Sequence, residues 1–462
     1  MPHSTNPILL LALAITLHHT LLTPPSAASS AEKPPNIVFI FADDLGYNDL
    51  SSYGATDIAT PAIDSLGEQG IRFTDFYSAS PVCSPSRAAL LTGRYPIRQG
   101  ITGVFWPQSF DGIDPAETTI AELLQENGYR TGLVGKWHLG HHQKHLPLQN
   151  GFHSYFGIPY SNDMDMVVYM RGNDVESYEV DQHYTTRRYT EEAVQFIEQN
   201  KDQPFFLYLA HSMPHVPIYA SENFVGTSKR GLYGDVIQEL DWSVAQILDT
   251  LDKHQLSENT LVVFTSDNGP WTALKHLGGS AAPLREGKMF TFDGGMRVPC
   301  LVRWPAQIPA GQTSHAMANM MDWFPTFSRI ANLDTPKSRS IDGLDITDVL
   351  TGSGPRADNE FFFFHGDGDL RAYRDGDWKL KLPYEGNQAA RWRQAVAAHP
   401  ILLFNLAEDP GETTDLAAQH PERLAAMQAR MTDFLASLGE LPPEKITRKP
   451  GDESHYKIID AE

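Results

Sequence analysis

NIVFIFADD, residues 36–44, opens as a near-continuous apolar run, Asn36 to Ala42, and ends on two aspartates. A run rich in β-branched and aromatic residues with no polar alternation fits a strand buried on both faces of a mostly parallel sheet. The pattern recurs at Thr131 to Val134 (TGLV), Pro204 to Ala210 (PFFLYLA) and Leu261 to Thr265 (LVVFT). Between the runs lie helical candidates, Thr60 to Gln69, Thr118 to Asn127, Glu191 to Gln199 and Tyr233 to Leu251. Alternation of this kind predicts an α/β fold, a large mixed sheet sandwiched by helices.

Ligands of open α/β sheets bind beyond the carboxyl ends of the strands, so the residue after each run carries the functional expectation. The four runs are followed by Asp43 and Asp44, by Lys136, Trp137 and His138, by His211, and by Asp267 and Asn268. An isolated Asp in such a place is ordinarily a helix cap or turn residue. Four endings of catalytic residue type predict one shared site.

Beyond about residue 340 the texture changes. Phe361 to His365 (FFFFH), Leu370 to Arg374, Trp378 to Leu382 and Ile401 to Leu406 read as short strands, with a hairpin signal at Asp375 and Gly376. Pro421 to Leu438 reads as an amphipathic helix. A smaller antiparallel sheet covered by a helix is expected there. The division is a catalytic unit at 31–345 and a C-terminal α+β part with its tail at 346–462.

Ile8 to Thr20 is a short apolar stretch followed by Leu21 to Ala31 (LLTPPSAASSA), rich in residues a signal peptidase accepts. Residues 1–30 are therefore expected to direct export to a periplasmic, secreted or lysosomal-type compartment. The run falls short of the roughly 20 residues of a membrane span, so no stable membrane anchor is expected.

Lys and Arg number 36 against 57 Asp and Glu, a formal charge of -21. That balance argues against nucleic acid, whose phosphates demand a basic footprint. It also means that any anionic substrate must be attracted by cations gathered locally. With two cysteines, Cys83 and Cys300, the chain is no disulfide scaffold.

PVCSPSRAALLTGR, residues 81–94, is the most informative stretch. Ser84 or its neighbour can cap a helix, Pro85 suits the first turn, and Arg87 to Thr92 can continue it. Cys83 then sits at a helix N-terminus, where free N–H groups and the macrodipole favour an anion. Arg87, four residues on, adds a fixed positive charge.

C-S-P-S-R resembles the C-x-P-x-R signature of the type I sulfatases of the alkaline phosphatase superfamily. The resemblance extends through FADDLGYNDL, GKWHLG, TSDNG and GKMFTFDGGMRVP, in order, between Asn36 and about Gly343. It implies that a formylglycine-generating enzyme oxidises Cys83 to formylglycine. It also implies that Asp43, Asp44, Asp267 and Asn268, with the modified Cys83, hold one calcium ion. Three carboxylates and an amide oxygen are a hard oxygen set, suited to calcium or magnesium rather than zinc. Arg87, Lys136, His138, His211 and Lys288 match positions around the sulfate, and Ser161 in PYSND resembles a further one.

The resemblance implies a mechanism too. A hydroxyl of hydrated formylglycine attacks sulfur with Asp267 as base, and His211, or else Lys288, protonates the leaving alcohol. His138 assists release of the sulfate. His215 and His365 are expected to touch substrate. FVGTSKRGLYGD and FGIPYSND resemble stretches of arylsulfatase-like members, which implies a sulfated carbohydrate or an aryl sulfate ester. Trp106, Trp271 and the loop around Arg285 read equally as a sugar-stacking wall or ordinary packing.

Two rival readings remain at this level. One is a phosphate or phosphonate monoester hydrolase of the same superfamily. The other is a non-catalytic binder of sulfated glycans, with Cys83 left as a thiol or paired with Cys300.

Overall fold

The computed structural model describes residues 1, 3, 33–164, 166–336, 339–390 and 392–445. The expected export signal at 1–30 lies outside the described residues, Met1 and His3 apart. From Pro34 onward the described residues form one unit.

Its main sheet has ten strands. Their order is Gln312–Ser314, Ile71–Phe73, Cys300–Arg303, Thr260–Ser266, Asn36–Ala42, Phe205–Ala210, Arg130–Gly135, Ser154–Gly157, Tyr169–Arg171 and Asp174–Ser177. The four expected runs are adjacent at its centre: β1 (Asn36–Ala42), β2 (Arg130–Gly135), β3 (Phe205–Ala210) and β4 (Thr260–Ser266). β1 pairs in parallel with β3 and β4, and β2 pairs in parallel with β3. Cys300–Arg303 runs antiparallel to β4, so the sheet is mixed but mostly parallel.

The lack of alternation in β1 has a direct cause. Ile37, Phe39 and Phe41 face one core, with Trp323 and Phe327 of α4 (Trp323–Ile330), while Val38, Ile40 and Ala42 face a second with Ile237 and Leu240 of α3 (Leu232–Lys253). That second core also takes Phe196 and Ile197 from α2 (Thr185–Asn200), and α1 (Cys83–Thr92) adds Leu90 and Leu91 to the first. Each buried side chain of this size stabilises the fold by about 1.5–3 kcal/mol.

The C-terminal expectation also matches in type. Glu360–Phe364, Leu370–Asp375, Trp378–Lys381 and Leu402–Asn405 form an antiparallel sheet, and α5 (Pro421–Ser437) lies on it. Gly376, in the hairpin turn, has φ 57°, a conformation that glycine adopts without steric cost. The phenylalanine run is buried on both faces. Phe361 stacks on Tyr77 of the main body with centroids 5.2 Å apart, and Phe362 stacks on Phe434 of α5 at 3.7 Å. Lys379 adds a buried link, donating to Asp293 at 2.7 Å and lying 2.9 Å from Glu412. Among the described residues no helix is long and apolar enough to cross a membrane.

Candidate active site

Parallel pairing brings the strand tips together before any side chain is considered. Ala42 is in register with Ser266, Phe41 with Ala210, and Gly135 with Ala210. The residues that follow therefore emerge on one edge. Asp44 and His138, at the tips of β1 and β2, have φ of 66° and 58°. Non-glycine residues in the left-handed region cost energy and concentrate at functional sites.

Cys83 begins α1, as its sequence context predicts, and Pro85 lies in the first turn. Ser84 does not cap the helix. The N-cap is Val82 without a side-chain bond, and Ser84 Oγ accepts from the Phe105 amide at 3.0 Å. Phe105 in turn presents its carbonyl to His138 Nε2 at 2.9 Å, so this loop fixes both the helix start and an imidazole.

Cys83 Sγ lies 3.5 Å from Asp43 Oδ1 and 3.5 Å from Lys288 Nζ. Lys136 Nζ donates to Asp43 at 2.6 Å and to Ser161 Oγ at 3.3 Å. Arg87 is fully buried and grips Asp267 Oδ2 through Nε at 3.1 Å and Nη2 at 2.9 Å. Lys288 Nζ lies 2.7 Å from Asp44 Oδ1. The expected residues Asp43, Asp44, Cys83, Arg87, Lys136, Ser161, Asp267, Asn268 and Lys288 thus share one interlocked network.

Burial pushes the Cys83 thiol well above its ordinary range, although Lys136 and Lys288 pull the other way. An unmodified thiol here is a protonated, weak nucleophile at neutral pH. His138 is driven well below its ordinary value by burial, then by Lys136 and Arg87, and its Nδ1 is buried without a partner. It is a neutral imidazole.

Asn268 bears on the metal question. Its Nδ2 donates to Asp44 Oδ1 at 2.7 Å and to the Gly269 carbonyl at 2.9 Å, and its Oδ1 is buried with no partner. An orphaned amide oxygen beside carboxylates is a cation ligand in waiting. Asp43, Asp44, Cys83 and His215 also offer donor atoms that all lie within 4.8 Å of one another. The donor set fits a hard divalent ion.

The histidines divide differently from expectation. His211 follows β3, but its Nε2 meets Ser243 of α3 at 3.2 Å. Burial alone holds it at about 3, and no charged group of the site perturbs it. His215 is the imidazole that enters the group, with Nε2 3.7 Å from Asp44 Oδ2 and Nδ1 at the Val216 carbonyl. Sequence alone marks His215, in PHVP at 214–217, as a substrate contact only.

Trp271 packs against the network, its ring 4.6 Å from Lys288 Nζ and 5.4 Å from the His215 ring. Arg285 lies over Phe292 at 3.9 Å. His365 sits at the edge of the small sheet, 3.0 Å from Asp367, outside the central network. Cys83 and Cys300 are both free and buried, so the disulfide variant of the binder reading does not hold. Asp163, two residues beyond Ser161, was not singled out by sequence. Burial opposes its ionisation, but His215, a Ser161 hydrogen bond, Lys136 and Lys288 hold its carboxyl low.

An oxygen-rich cluster and three permanent cations at parallel strand tips, beside a helix N-terminus, define a hydrolase of tetrahedral oxyanion esters with an alkaline-phosphatase-like fold. The chain matches the family model described as Sulfatase over residues 35–333 and that described as N-sulphoglucosamine sulphohydrolase, C-terminal, over 287–439. It is 40% identical to N-acetylgalactosamine-6-sulfatase of Canis lupus familiaris, covering 87% of this chain and 85% of the relative. It is 37% identical to arylsulfatase A of Homo sapiens, over 88% and 89% of the two chains. The crystal structure of Ps i-CgsB in complex with k-i-k-neocarrahexaose superposes with a TM-score of 0.77 at 31% identity, over 87% and 93%. The chain belongs to the sulfatase family, and it is an enzyme that hydrolyses sulfate esters.

Proposed function

We propose that this enzyme acts on sulfated carbohydrates through a formylglycine made from Cys83 and a calcium ion held by Asp43, Asp44, Asp267, Asn268 and residue 83. The unpartnered, buried Asn268 Oδ1 carries the metal assignment. When bound, the ion supplies Lewis acidity and positive charge. Formylglycine supplies, as its hydrate, a hydroxyl to attack sulfur and a second to release the sulfate.

The remaining work belongs to the chain's own side chains. Asp43, Asp44, Asp163 and Asp267 outnumber Arg87, Lys136 and Lys288 by one, so a divalent ion tips the pocket positive and offsets the global -21 locally. Lys136 and Ser161 face the sulfate oxygens, and Lys288 neutralises charge that grows on the leaving side. Asp267, fixed by Arg87, is the base that accepts the nucleophile's proton. Neutral His138 receives a proton as sulfate departs. His215 takes over from His211 as the general acid, because it stands in the cluster 3.7 Å from Asp44.

Carbohydrate substrates are supported by N-acetylgalactosamine-6-sulfatase among the relatives and by the neocarrahexaose bound to Ps i-CgsB. The reading further takes 1–30 as an export signal, 31–345 as the catalytic unit, 346–462 as the C-terminal part, and a formylglycine-generating enzyme as the maturation partner. The decisive experiment is Cys83→Ala with peptide mass spectrometry of the parent. The expected result is an aldehyde mass at position 83 and a loss of turnover of at least about a thousandfold in the variant. Full turnover by Cys83→Ala, or an unmodified thiol in active enzyme, would overturn it.

A further inference from the structure

A second cavity of about 160 Å³ lies between the main body and the small sheet, and no residue of the central network lines it. That is several times the ~30 Å³ share of one water. Its floor is Glu286 and Phe290 to Phe292, the segment that also carries Lys288 into the sulfate site. One wall holds His365 and Asp367, and the intervening Gly366 approaches Val82, the residue before Cys83. The cavity therefore adjoins the reaction centre through two chain segments.

The opposite wall is an arm, residues 384–390 and 392–399, between the last two strands of the small sheet. It is a narrow ladder with bridges Tyr384 to His399, Asn387 to Val396 and Ala390 to Arg393. Its tip docks on the loop that follows Asn268: Trp271 Nε1 donates to the Trp392 carbonyl at 2.6 Å and Thr272 Oγ1 to Gln394 at 3.0 Å. The arm thus joins the cavity to the ring that packs on Lys288 and His215.

The lining brings cations and a carboxylate together without close pairing. Lys381 is 4% exposed, donates to Thr291 Oγ1 at 2.7 Å and lies 4.0 Å from the Phe292 ring centre. Among the described residues no carboxylate oxygen comes within 4.0 Å of its Nζ, whereas Lys379, two residues away, has two such partners. Among the described residues Arg393 has no ion pair within 4.0 Å, while His365, Asp367 and Arg371 pair among themselves. Burial and Lys379 draw Lys381 down to about 7 against the pull of Glu412 and Glu286, so an anionic ligand in the cavity would restore its charge and gain a partner. Glu286 Oε2 is buried without a hydrogen-bond donor, and Tyr384, His399 and Phe292 present ring faces. An anion, a hydroxyl donor and a flat apolar face together describe an acidic sugar.

We infer that this cavity binds the saccharide unit next to the sulfated one, with Lys381 and Arg393 holding a carboxylate or second sulfate on that unit and Glu286 accepting from its hydroxyls. The inference rests on the carbohydrate sulfatase reading and narrows it to acidic oligosaccharides.

The test uses the full-length enzyme and three sulfated disaccharides that differ only in the neighbouring unit, which is neutral, a uronate or itself sulfated. 4-Methylumbelliferyl sulfate serves as a fourth substrate with no neighbour. A charge-assisted contact implies a kcat/KM preference of roughly ten- to a hundredfold for one or both anionic disaccharides, expressed in KM. Arg393→Ala, at an exposed position, and Lys381→Met should each cut that preference by about tenfold. Which anionic disaccharide is preferred identifies the carboxylate or the second sulfate as the group held. Equal kcat/KM on the neutral and acidic disaccharides, or a preference that survives both variants, overturns the pocket assignment while aryl sulfate turnover leaves the sulfatase reading standing. Absence of turnover on all four substrates by the parent enzyme overturns that reading, and this one with it.

Discussion

Asn268 spends its amide hydrogens on Asp44 and Gly269 and keeps its oxygen, Oδ1, buried and unpaired. The contact with Asp44, 2.7 Å long, fixes which way the amide points, because the reverse orientation would set two oxygens against each other. A side chain held in this manner is preorganised for a cation before the cation arrives.

Removal of that oxygen should therefore weaken metal binding rather than the fold. Asn268→Ala and Asp267→Asn are each expected to lower calcium affinity by about 10- to 100-fold. Thermal melts across a calcium titration provide the measurement. The parent should gain about 2.7 kcal/mol at a hundredfold excess over Kd, and the variants should need correspondingly more calcium for the same shift. An unchanged titration curve would remove both residues from the ligand set.

The two imidazoles make opposite predictions. His215→Ala should reduce kcat by roughly 10²–10⁴ on alkyl sulfates, whose leaving oxygen needs a proton, and by much less on activated aryl sulfates. Such dependence on leaving-group basicity is the signature of a lost general acid. His211→Ala should lower thermal stability instead, because it opens a cavity between β3 and α3 and leaves Ser243 only its bond with Thr190 among the described residues. A leaving-group slope that steepens in His211→Ala and not in His215→Ala would reverse the assignment.

Much of this site was legible in the sequence because parallel β pairing converts strand ends into spatial neighbours. Asp43, Lys136 and Asp267 could be gathered from the tips of apolar runs with no knowledge of loops. The same rule leaves the orientation of His211 open. A strand tip emits side chains to alternate faces, and the rule does not say which face a residue at the first position takes. His215 reaches the site from the loop after β3, where periodicity has no purchase. Ser84 looked like a cap but serves Phe105, since a hydroxyl at the second helical position bonds whatever backbone lies above it. The arm at 384–399 has neither apolar alternation nor length, so its docking on Trp271 emerges only in three dimensions.

Asp241 of α3 offers a pH-dependent prediction away from the chemistry. Burial raises its carboxyl from 3.8 to about 6, although it accepts from the Ile63 amide at 2.8 Å. A raised folded-state value means that the group favours the fold fully below about pH 4 and loses that contribution as pH climbs through 6. The change amounts to on the order of 3 kcal/mol. Asp241→Asn keeps an acceptor for Ile63 without the charge. It should exceed the parent in stability by about 1–3 kcal/mol at pH 8, and the difference should vanish near pH 4. Urea melts at the two pH values measure it, and a gain of equal size at both would assign the effect to something other than ionisation.

The link between small sheet and main body gives the last prediction. Lys379 is fully buried with Asp293 at 2.7 Å and Glu412 at 2.9 Å. Asp293 also holds Tyr77 Oη at 2.7 Å and Arg297 at 3.3 Å, so it keeps support if the ammonium is removed. Glu412 has no second cation within 4.0 Å among the described residues. Lys379→Met should accordingly cost about 3–5 kcal/mol, most of it from stranding Glu412. The double variant Lys379→Met, Glu412→Gln should recover a large part of that loss, since Gln can still accept from the Asp293 amide that now meets Glu412 at 2.6 Å. Equilibrium unfolding of parent, both single variants and the double variant closes the cycle. If Lys379→Met falls within about 1 kcal/mol of the parent, the stack of Phe361 on Tyr77 and the edge-to-face contact of Phe363 with it hold the two parts together without help from the ion pair.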